Sequence, residues 1–154
     1  MAPAATPEIR AAQFEYLDVA TLYRILRLRS EVYVVEQQCI YSDLDGRDCE
    51  PRTTLLWVDD DADCPTVAAT VRLLVEPDGS FRLGRVVTAP AKRDRGLAAA
   101  LIDAALQLVP VGAAVALDAQ IRLAPWYGRW GFARSGPDFD EDGILHTPMR
   151  RDGR

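Results

Sequence analysis

The stretch KRDRGLAAALI (92–102) places three cations in front of a glycine and an apolar run with helical spacing. A helix N-terminus carries positive partial charge and normally favours acidic residues nearby. The cations are accounted for if the helix start holds an anion from outside the protein, because its free N–H groups and dipole form a ready phosphate site. Gly96 lets a ligand approach the backbone, and Arg93 and Arg95 add full charges. A basic loop whose arginines are simply solvated is the alternative.

The segments on either side of this stretch predict a parallel strand–helix–strand step. FRLGRVVT (81–88) has the composition of a strand, and AAVALDA (113–119) has that of a short buried strand. Between them, apolar residues recur at helical spacing from Leu97 to Val109 and stop at Pro110. Two strands joined through one helix lie parallel in a sheet.

The rest of the chain predicts an α+β domain built on an antiparallel meander. TTLLWV (53–58), TVAATVRLLV (66–75) and the strand at 81–88 follow one another, and Pro77-Asp78-Gly79 has the chemistry of a hairpin turn. The other predicted elements are a strand at Ala11–Tyr16, a helix from an Asp18 N-cap to about Gln38, an acidic turn at Asp59–Asp63, a helix that starts around Ile121 to Ala124 with Pro125 in its first turn and Gly131 as its C-terminal cap, and closing strands at 131–136 and 143–150.

Composition narrows the class of protein. A chain of 154 residues predicts one domain, residues 1–154, of which 1–8 are small, Pro-containing and expected to be flexible. The net charge of −5 argues against general nucleic-acid binding. Cys39, Cys49 and Cys64 lack CxxC spacing, and the single histidine excludes a multi-histidine metal site, so we expect no metal. Neither a secretion signal nor a run of about 18 apolar residues occurs, so we expect a cytoplasmic protein without membrane contact.

Familiar nucleotide and hydrolase motifs are missing from the chain. It contains no GxxxxGK[ST] loop and no GxGxxG turn, which disfavours a P-loop NTPase and a Rossmann domain. A Ser/His/Asp hydrolase would have to use His146, and no GxSxG elbow accompanies it.

Several segments resemble one known family in the order that the family has them. RDRGLA (93–98) matches the Q/R-x-x-G-x-G/A signature of the GCN5-related N-acetyltransferase (GNAT) superfamily, and GRVVT stands where its cofactor-pairing strand stands. AQIRLAPWYGRWGF (119–132) resembles the later segment that ends in a Tyr and a Gly-Phe. VVEQQCIYSDLDGRD (34–48) and EDGILH (141–146) are similar to the ElaA-type branch. The resemblance runs from about Leu22 to Met149.

The resemblance implies a GNAT-type fold, with a mixed, mostly antiparallel central sheet flanked by helices and the parallel βαβ step at an acetyl-CoA site. It also implies direct acetyl transfer to an amine, with no covalent enzyme intermediate. Asp94 replaces a residue that is often small, which brings a carboxylate near the pyrophosphate, and Gln120 stands where many members have Asn. The implied cofactor-binding residues are Val86, Val87, Thr88, Arg93, Asp94, Arg95, Gly96, Leu97, Ala98 and Gln120.

The catalytic roles are predicted on the same basis. A backbone N–H from Val86 to Thr88 is placed by the family pattern to stabilise the oxyanion. Tyr127 can protonate the leaving thiolate, the alternative being an aromatic packed between Trp126 and Trp130. Glu36, two turns after Arg29 on one helical face, is the candidate base, and an ion pair at the helix end is its alternative.

Four residues are predicted to bind the acceptor. Asp43 and Asp45 form an acidic loop that could attract a cationic amine, unless they belong to a solvated turn. Arg29 could hold a substrate carboxylate or pair internally with a loop aspartate. His146 could line the pocket or act on a proton, although a lone histidine in a strand is more often packed or exposed.

Two other functions fit the same resemblance. One is an acyltransferase that uses a longer acyl-CoA, and the other is a non-catalytic CoA-binding or interaction module. The expected partners are acetyl-CoA and an amine, with no nucleic acid, and a homodimer is compatible with the sequence.

Overall fold

The strands form one mixed sheet with helices on both faces. A computed structural model describes residues 5–60 and 66–153, so residues 1–4, Cys64 and part of the predicted turn at 59–63 lie outside the described residues. The strands are β1 (Arg10–Gln13), β2 (Thr54–Asp60), β3 (Thr66–Val75), β4 (Phe81–Thr88), β5 (Val115–Gln120), β6 (Ala133–Arg134), β7 (Phe139–Glu141) and β8 (Ile144–Arg151). The helices are α1 (Val19–Arg29), α2 (Leu97–Gln107) and α3 (Ala124–Tyr127).

The strand order confirms the predicted α+β fold. Within the described residues the sheet runs β1-β2-β3-β4-β5-β8-β6, with β7 paired to β8. The meander from β1 to β4 is antiparallel, and β4 and β5 are parallel with α2 as their crossover. The short strand β7 was not predicted, and β6 is only two residues long.

The parallel pair separates soon after it begins. Phe81 lies opposite Val115 and Arg82 opposite Ala116, and these are the two positions that form the ladder. Since β4 continues to Thr88 and β5 to Gln120, the strands diverge beyond this point. The divergence opens a gap in the middle of the sheet.

Each face of the sheet buries one helix. Ile25 and Leu28 of α1 pack with Trp57 on one face, whereas Leu101 and Ile102 of α2 belong to the larger core on the other. Burial of one such side chain contributes about 1.5–3 kcal/mol. The two helices therefore hold the split sheet from opposite sides.

The first helix changes its pitch before it reaches the gap. Asp18 caps α1 by accepting from the Thr21 N–H at 2.9 Å, as the sequence predicts. From Ser30 to Glu36, however, the chain is π-helical, and the Gln37 N–H bonds the Val32 carbonyl. The prediction of one uniform helix to Gln38 was wrong in this respect. Wide turns of this kind occur frequently at functional sites because they re-aim side chains.

The segment after β5 follows the prediction closely. A 3₁₀ turn at Ile121–Leu123 leads into α3, with Pro125 in its first turn. A second 3₁₀ turn ends at Gly131, whose φ of 84° is the left-handed conformation of a C-terminal cap.

Candidate active site

The loop before α2 leads into a helix start that has no side-chain cap. Gly96 is the N-cap at φ 74°, without a side-chain cap, and the first turn of α2 has no acidic residue. Asp94 is also left-handed, at φ 63°. The N–H groups at the start of α2 therefore have no acceptor within the helix and are available to an external anion.

The loop forms one wall of a cavity of 530 Å³ beside the gap in the sheet. That volume lies in the usual range for small-molecule sites. Nine of the ten predicted cofactor-binding residues line it: Val86, Val87, Thr88, Arg93, Asp94, Arg95, Gly96, Leu97 and Ala98. Gln120 instead lines a smaller neighbouring cavity.

The cations around the larger cavity differ in their availability. Lys92 pairs with Asp60 at 2.9 Å, and Arg93 pairs with Glu36. Arg95 is exposed and forms no ion pair with another described residue. Arg129 lies over the rings of Trp126 and Trp130, at 5.7 and 5.2 Å from their centroids. Arg122 also lines this cavity and contacts the neutral Gln120. Arg95, Arg122, Arg129 and the helix start are thus, among the described residues, positive groups without a carboxylate partner, and they fit the diphosphate of coenzyme A.

The candidate base Glu36 lines this cavity beside the loop before α2. Arg93 donates to both of its carboxylate oxygens, at 2.7 and 2.9 Å. The Arg93 contact holds the pKa of Glu36 below its ordinary value. A carboxylate with a lowered pKa is a weaker proton acceptor, so the geometry favours the ion-pair alternative over the predicted role as base.

A β-bulge interrupts β4 where the oxyanion donor is predicted. Thr70 pairs with Val87 and Arg72 with Gly84, so Arg85 and Val86 together lie opposite a single residue of β3. Arg85 has φ 51°, a conformation uncommon for a non-glycine residue. A bulge leaves main-chain groups out of the ladder, which here places them at the gap.

Tyr33, in the π-helical segment, forms a hydrogen bond with this bulge. Its hydroxyl donates to the Val86 carbonyl at 3.0 Å. Burial raises the pKa of Tyr33, so the phenol stays protonated and remains a donor. The sequence showed Tyr33 only as part of an apolar stripe, and no motif signals its contact with Val86.

Tyr127 lies at the junction of the two cavities and lines both. It is 6% exposed and packs edge-on against Trp126 and Phe132. Its hydroxyl has no hydrogen-bond partner among residues 5–60 and 66–153, and burial raises its pKa to about 12. Tyr127 therefore packs as an aromatic side chain, and its hydroxyl makes no hydrogen bond to a described residue that would prevent a role as an acid.

The smaller cavity, of 230 Å³, lies between the diverging strands. It shares Gln37, Val86, Arg122, Leu123 and Tyr127 with the larger one. At their boundary the Gln120 amide donates to Gln37 at 3.4 Å and accepts from Arg122 at 3.0 Å. The two chambers are therefore adjacent, and Tyr127 is one of the five residues that line both.

Arg29 belongs to a buried ionic cluster and lies outside both chambers. It is 1% exposed, and its guanidinium donates to Asp43 at 2.9 Å and to Asp48 at 2.7 Å. This geometry corrects the prediction that Arg29 binds substrate, in favour of the internal pair with a loop aspartate.

Asp43 and Asp45 are likewise engaged with arginines. Asp43 is buried and contacts Arg85 at 2.7 Å, and Asp45 binds Arg72 through both oxygens at 2.8 and 2.9 Å. The prediction of an acidic surface that attracts an amine is therefore corrected for both residues. Their contacts tie the loop to β3 and, through Arg85, to the bulge.

His146 lines the smaller cavity, as the sequence allowed. Its Nδ1 lies 2.8 Å from the Ile144 carbonyl, and its Nε2 lies 3.7 Å from Glu141. The ring stacks on Phe139 at 5.6 Å with an interplanar angle of 18°.

Two negative findings concern metals and membranes. Within the described ranges, no group of three or more His, Cys, Asp or Glu residues could hold a metal ion. No helix in those ranges combines the length and apolarity needed to cross a bilayer.

A fold and cleft of this kind define an enzyme that takes an acyl group from coenzyme A. Residues 32–152 match the family model for the Acetyltransferase (GNAT) domain, and the chain therefore belongs to the GNAT family. Its relatives identify the ElaA-type branch.

The curated relatives align over nearly the whole chain. A UPF0039 protein of Mycobacterium tuberculosis is 40% identical over 151 residues, which cover 96% of this chain and 95% of that protein. Protein ElaA of Escherichia coli is 34% identical over 143 residues, or 88% of this chain and 90% of that protein.

Solved structures show the same fold. An acyl-CoA N-acyltransferase from Pseudomonas aeruginosa superposes with a TM-score of 0.86 at 36% identity, covering 95% of this chain and 99% of that one. The crystal structure of Escherichia coli ElaA superposes with a TM-score of 0.85 at 29% identity, covering 96% and 100%.

Proposed function

We propose that this protein transfers the acetyl group of acetyl-CoA to a primary amine of a small molecule or peptide, by direct attack in a ternary complex. The observation that carries the proposal is the meeting of two chambers at Tyr127. A reaction between two bound substrates needs two sites that share one reacting centre.

The larger chamber is the coenzyme site. The diphosphate lies at the start of α2, where Gly96, free N–H groups and Arg95 meet it. The thioester then reaches the gap between β4 and β5, beside the bulge at Arg85 and Val86.

The smaller chamber is the acceptor site. An amine bound there attacks the thioester carbonyl, and a backbone N–H from Val86 to Thr88 stabilises the oxygen that becomes negative. The carbon–sulfur bond breaks, and Tyr127 donates its proton to the departing thiolate. With a pKa of about 12, the phenol is protonated throughout the neutral range. The cytoplasmic location and the homodimer stay predictions.

The experiment is a free-thiol assay of acetyl-CoA with a panel of primary alkylamines, amino acids and short peptides, run beside calorimetry of acetyl-CoA binding. Amine-dependent thiol release with formation of the N-acetyl product is the expected result. Binding of acetyl-CoA without release with any amine would favour the non-catalytic module. Faster thiol release from a longer acyl-CoA than from acetyl-CoA would mean that the longer acyl group, and not acetyl, is the group transferred.

A further inference from the structure

We propose that His146 takes the proton from the incoming ammonium and that Glu141 attracts that ammonium to it. The assignment rests on the proposed function. A protonated amine has no lone pair to attack a thioester, so the acceptor chamber has to contain a proton acceptor.

The lining of the smaller cavity offers few candidates for this role. The residues of β4 that line it, from Arg82 to Val86, include no carboxylate or imidazole. Asp118 pairs with Arg82 at 3.2 Å. Burial raises the pKa of the Cys39 thiol, which keeps it protonated. Among the described lining residues, His146 and Glu141 are the acceptors without an arginine partner.

The neighbours of His146 fix its tautomer. A backbone carbonyl can only accept, so the Nδ1 atom that lies 2.8 Å from the Ile144 oxygen carries the hydrogen. The lone pair of the neutral ring is then on Nε2. Stacking on Phe139 and 12% side-chain exposure hold the ring in this orientation.

The contact between Nε2 and Glu141 leaves room for a donor. Their 3.7 Å separation exceeds hydrogen-bond length, and the neutral Nε2 and the carboxylate are both acceptors. An ammonium beside them can donate to both, and the half-exposed carboxylate supplies the attraction. The other titratable or charged groups that line this cavity are Tyr33, Cys39, Tyr41, Arg72, Arg82, Arg85, Asp118, Arg122 and Tyr127.

The protons balance through the two residues. Nε2 takes one proton from the ammonium and releases it to solvent. The free amine forms its bond to the carbonyl carbon, the carbon–sulfur bond breaks, and Tyr127 protonates the sulfur. After the attack the nitrogen carries two hydrogens, and one of them passes to the Tyr127 phenolate and restores the phenol. The whole reaction therefore releases one proton for each acetyl group transferred.

The first test is direct because His146 is the only histidine in the chain. Nitrogen-15 NMR of histidine-labelled protein resolves a single imidazole, and its ring shifts distinguish the two tautomers. We expect the neutral form to be protonated at Nδ1. Protonation at Nε2 would remove the lone pair from the chamber and overturn the assignment.

The second test is the pH profile of His146→Asn, whose amide retains a donor for the Ile144 carbonyl. With acetyl-CoA and the best alkylamine of the panel, kcat/KM at pH 7 should fall about 100-fold. The deficit should shrink toward pH 10, as the amine loses its proton in solution. The control Leu145→Ala, on the exposed neighbouring residue, should keep the wild-type profile.

Glu141→Gln should raise KM for the alkylamine more than it lowers kcat. The assignment is overturned if folded His146→Asn loses no kcat/KM, or if its loss does not change with pH. Transfer by the wild type would still uphold the proposed function in that case. Binding of acetyl-CoA by a wild type that acetylates no amine rejects both.

Discussion

Arg93 and Glu36, which both line the larger cavity, form a two-point ion pair, Nη1 to Oε1 at 2.7 Å and Nη2 to Oε2 at 2.9 Å. The pair joins the loop before α2 to the π-helical end of α1. Both side chains are about 40% exposed, at 41% and 40%. A phosphate that approaches Arg93 therefore competes with a carboxylate already bound to it.

Glu36→Gln should strengthen acetyl-CoA binding by up to about fivefold, because it releases Arg93 from an exposed ion pair that competes with the phosphate. Calorimetry measures the affinity, and the thiol assay should show turnover largely retained. Turnover reduced 100-fold at unchanged affinity would instead restore Glu36 as the base. Weaker binding would mean that the Glu36–Arg93 pair helps to shape the coenzyme site.

Gly96→Val should weaken acetyl-CoA binding at least tenfold. A Cβ at Gly96 would meet no atom within 4 Å apart from its own chain neighbours and helix backbone, and Gly96 lines the larger cavity, so we expect the added bulk to obstruct a diphosphate there. Gly79→Val is the matched control, since Gly79 has a similar positive φ, 85° against 74°, and equally open surroundings in a distant hairpin. Both variants should lose similar thermal stability, and equal affinities in the two would contradict the site.

Tyr127→Phe should lower kcat about 100-fold and leave the acetyl-CoA affinity within twofold. The hydroxyl makes no hydrogen bond to a described residue, so its removal should not destabilise the fold. Tyr23→Phe, on an exposed tyrosine of α1, is the control. Because the pKa of Tyr127 is raised to about 12, wild-type turnover should show no loss from its ionisation between pH 8 and 10. Unchanged kcat in Tyr127→Phe would end the acid role.

Asp45→Asn should destabilise the protein by about 2 kcal/mol at pH 7. Burial alone would raise the pKa of Asp45, but hydrogen bonds from Arg72 and from the Arg47 N–H outweigh it and lower the pKa to about 2. A pKa lowered by folding gives stability that is complete above the unfolded value of 3.8 and lost as the pH falls through about 2. Urea unfolding should therefore show the difference from wild type vanishing near pH 2, whereas the exposed Glu15→Gln should show little difference at any pH. A pH-independent difference would exclude this linkage.

Local patterns in the sequence were sufficient for much of the fold. The 92–102 stretch predicted the helix start at Gly96, and the strands on either side of it predicted the parallel step. The π-helical turn escaped prediction, because its apolar residues have the same spacing as those of an ordinary helix. For that reason the contact of Tyr33 with the bulge could not be anticipated.

For the residues predicted to bind the acceptor, the sequence predicted less than the tertiary structure showed. The sequence allowed a pair between Arg29 and a loop aspartate, which the structure shows for Asp43. The contacts of Asp45 with Arg72 and of Asp43 with Arg85 could not be anticipated, because those arginines come from strands far along the chain. Arg129 stood in the sequence between two tryptophans, and that spacing was a usable signal for its position over their rings.

The sequence by itself determined that α2 begins at a glycine with basic neighbours and no side-chain cap, because backbone conformation and capping depend on a few consecutive residues. Only the tertiary structure decided which charges neutralise one another and which side chains meet at Tyr127. Ion pairs and chambers form between residues brought together by packing, and the order of residues along the chain does not specify those distances.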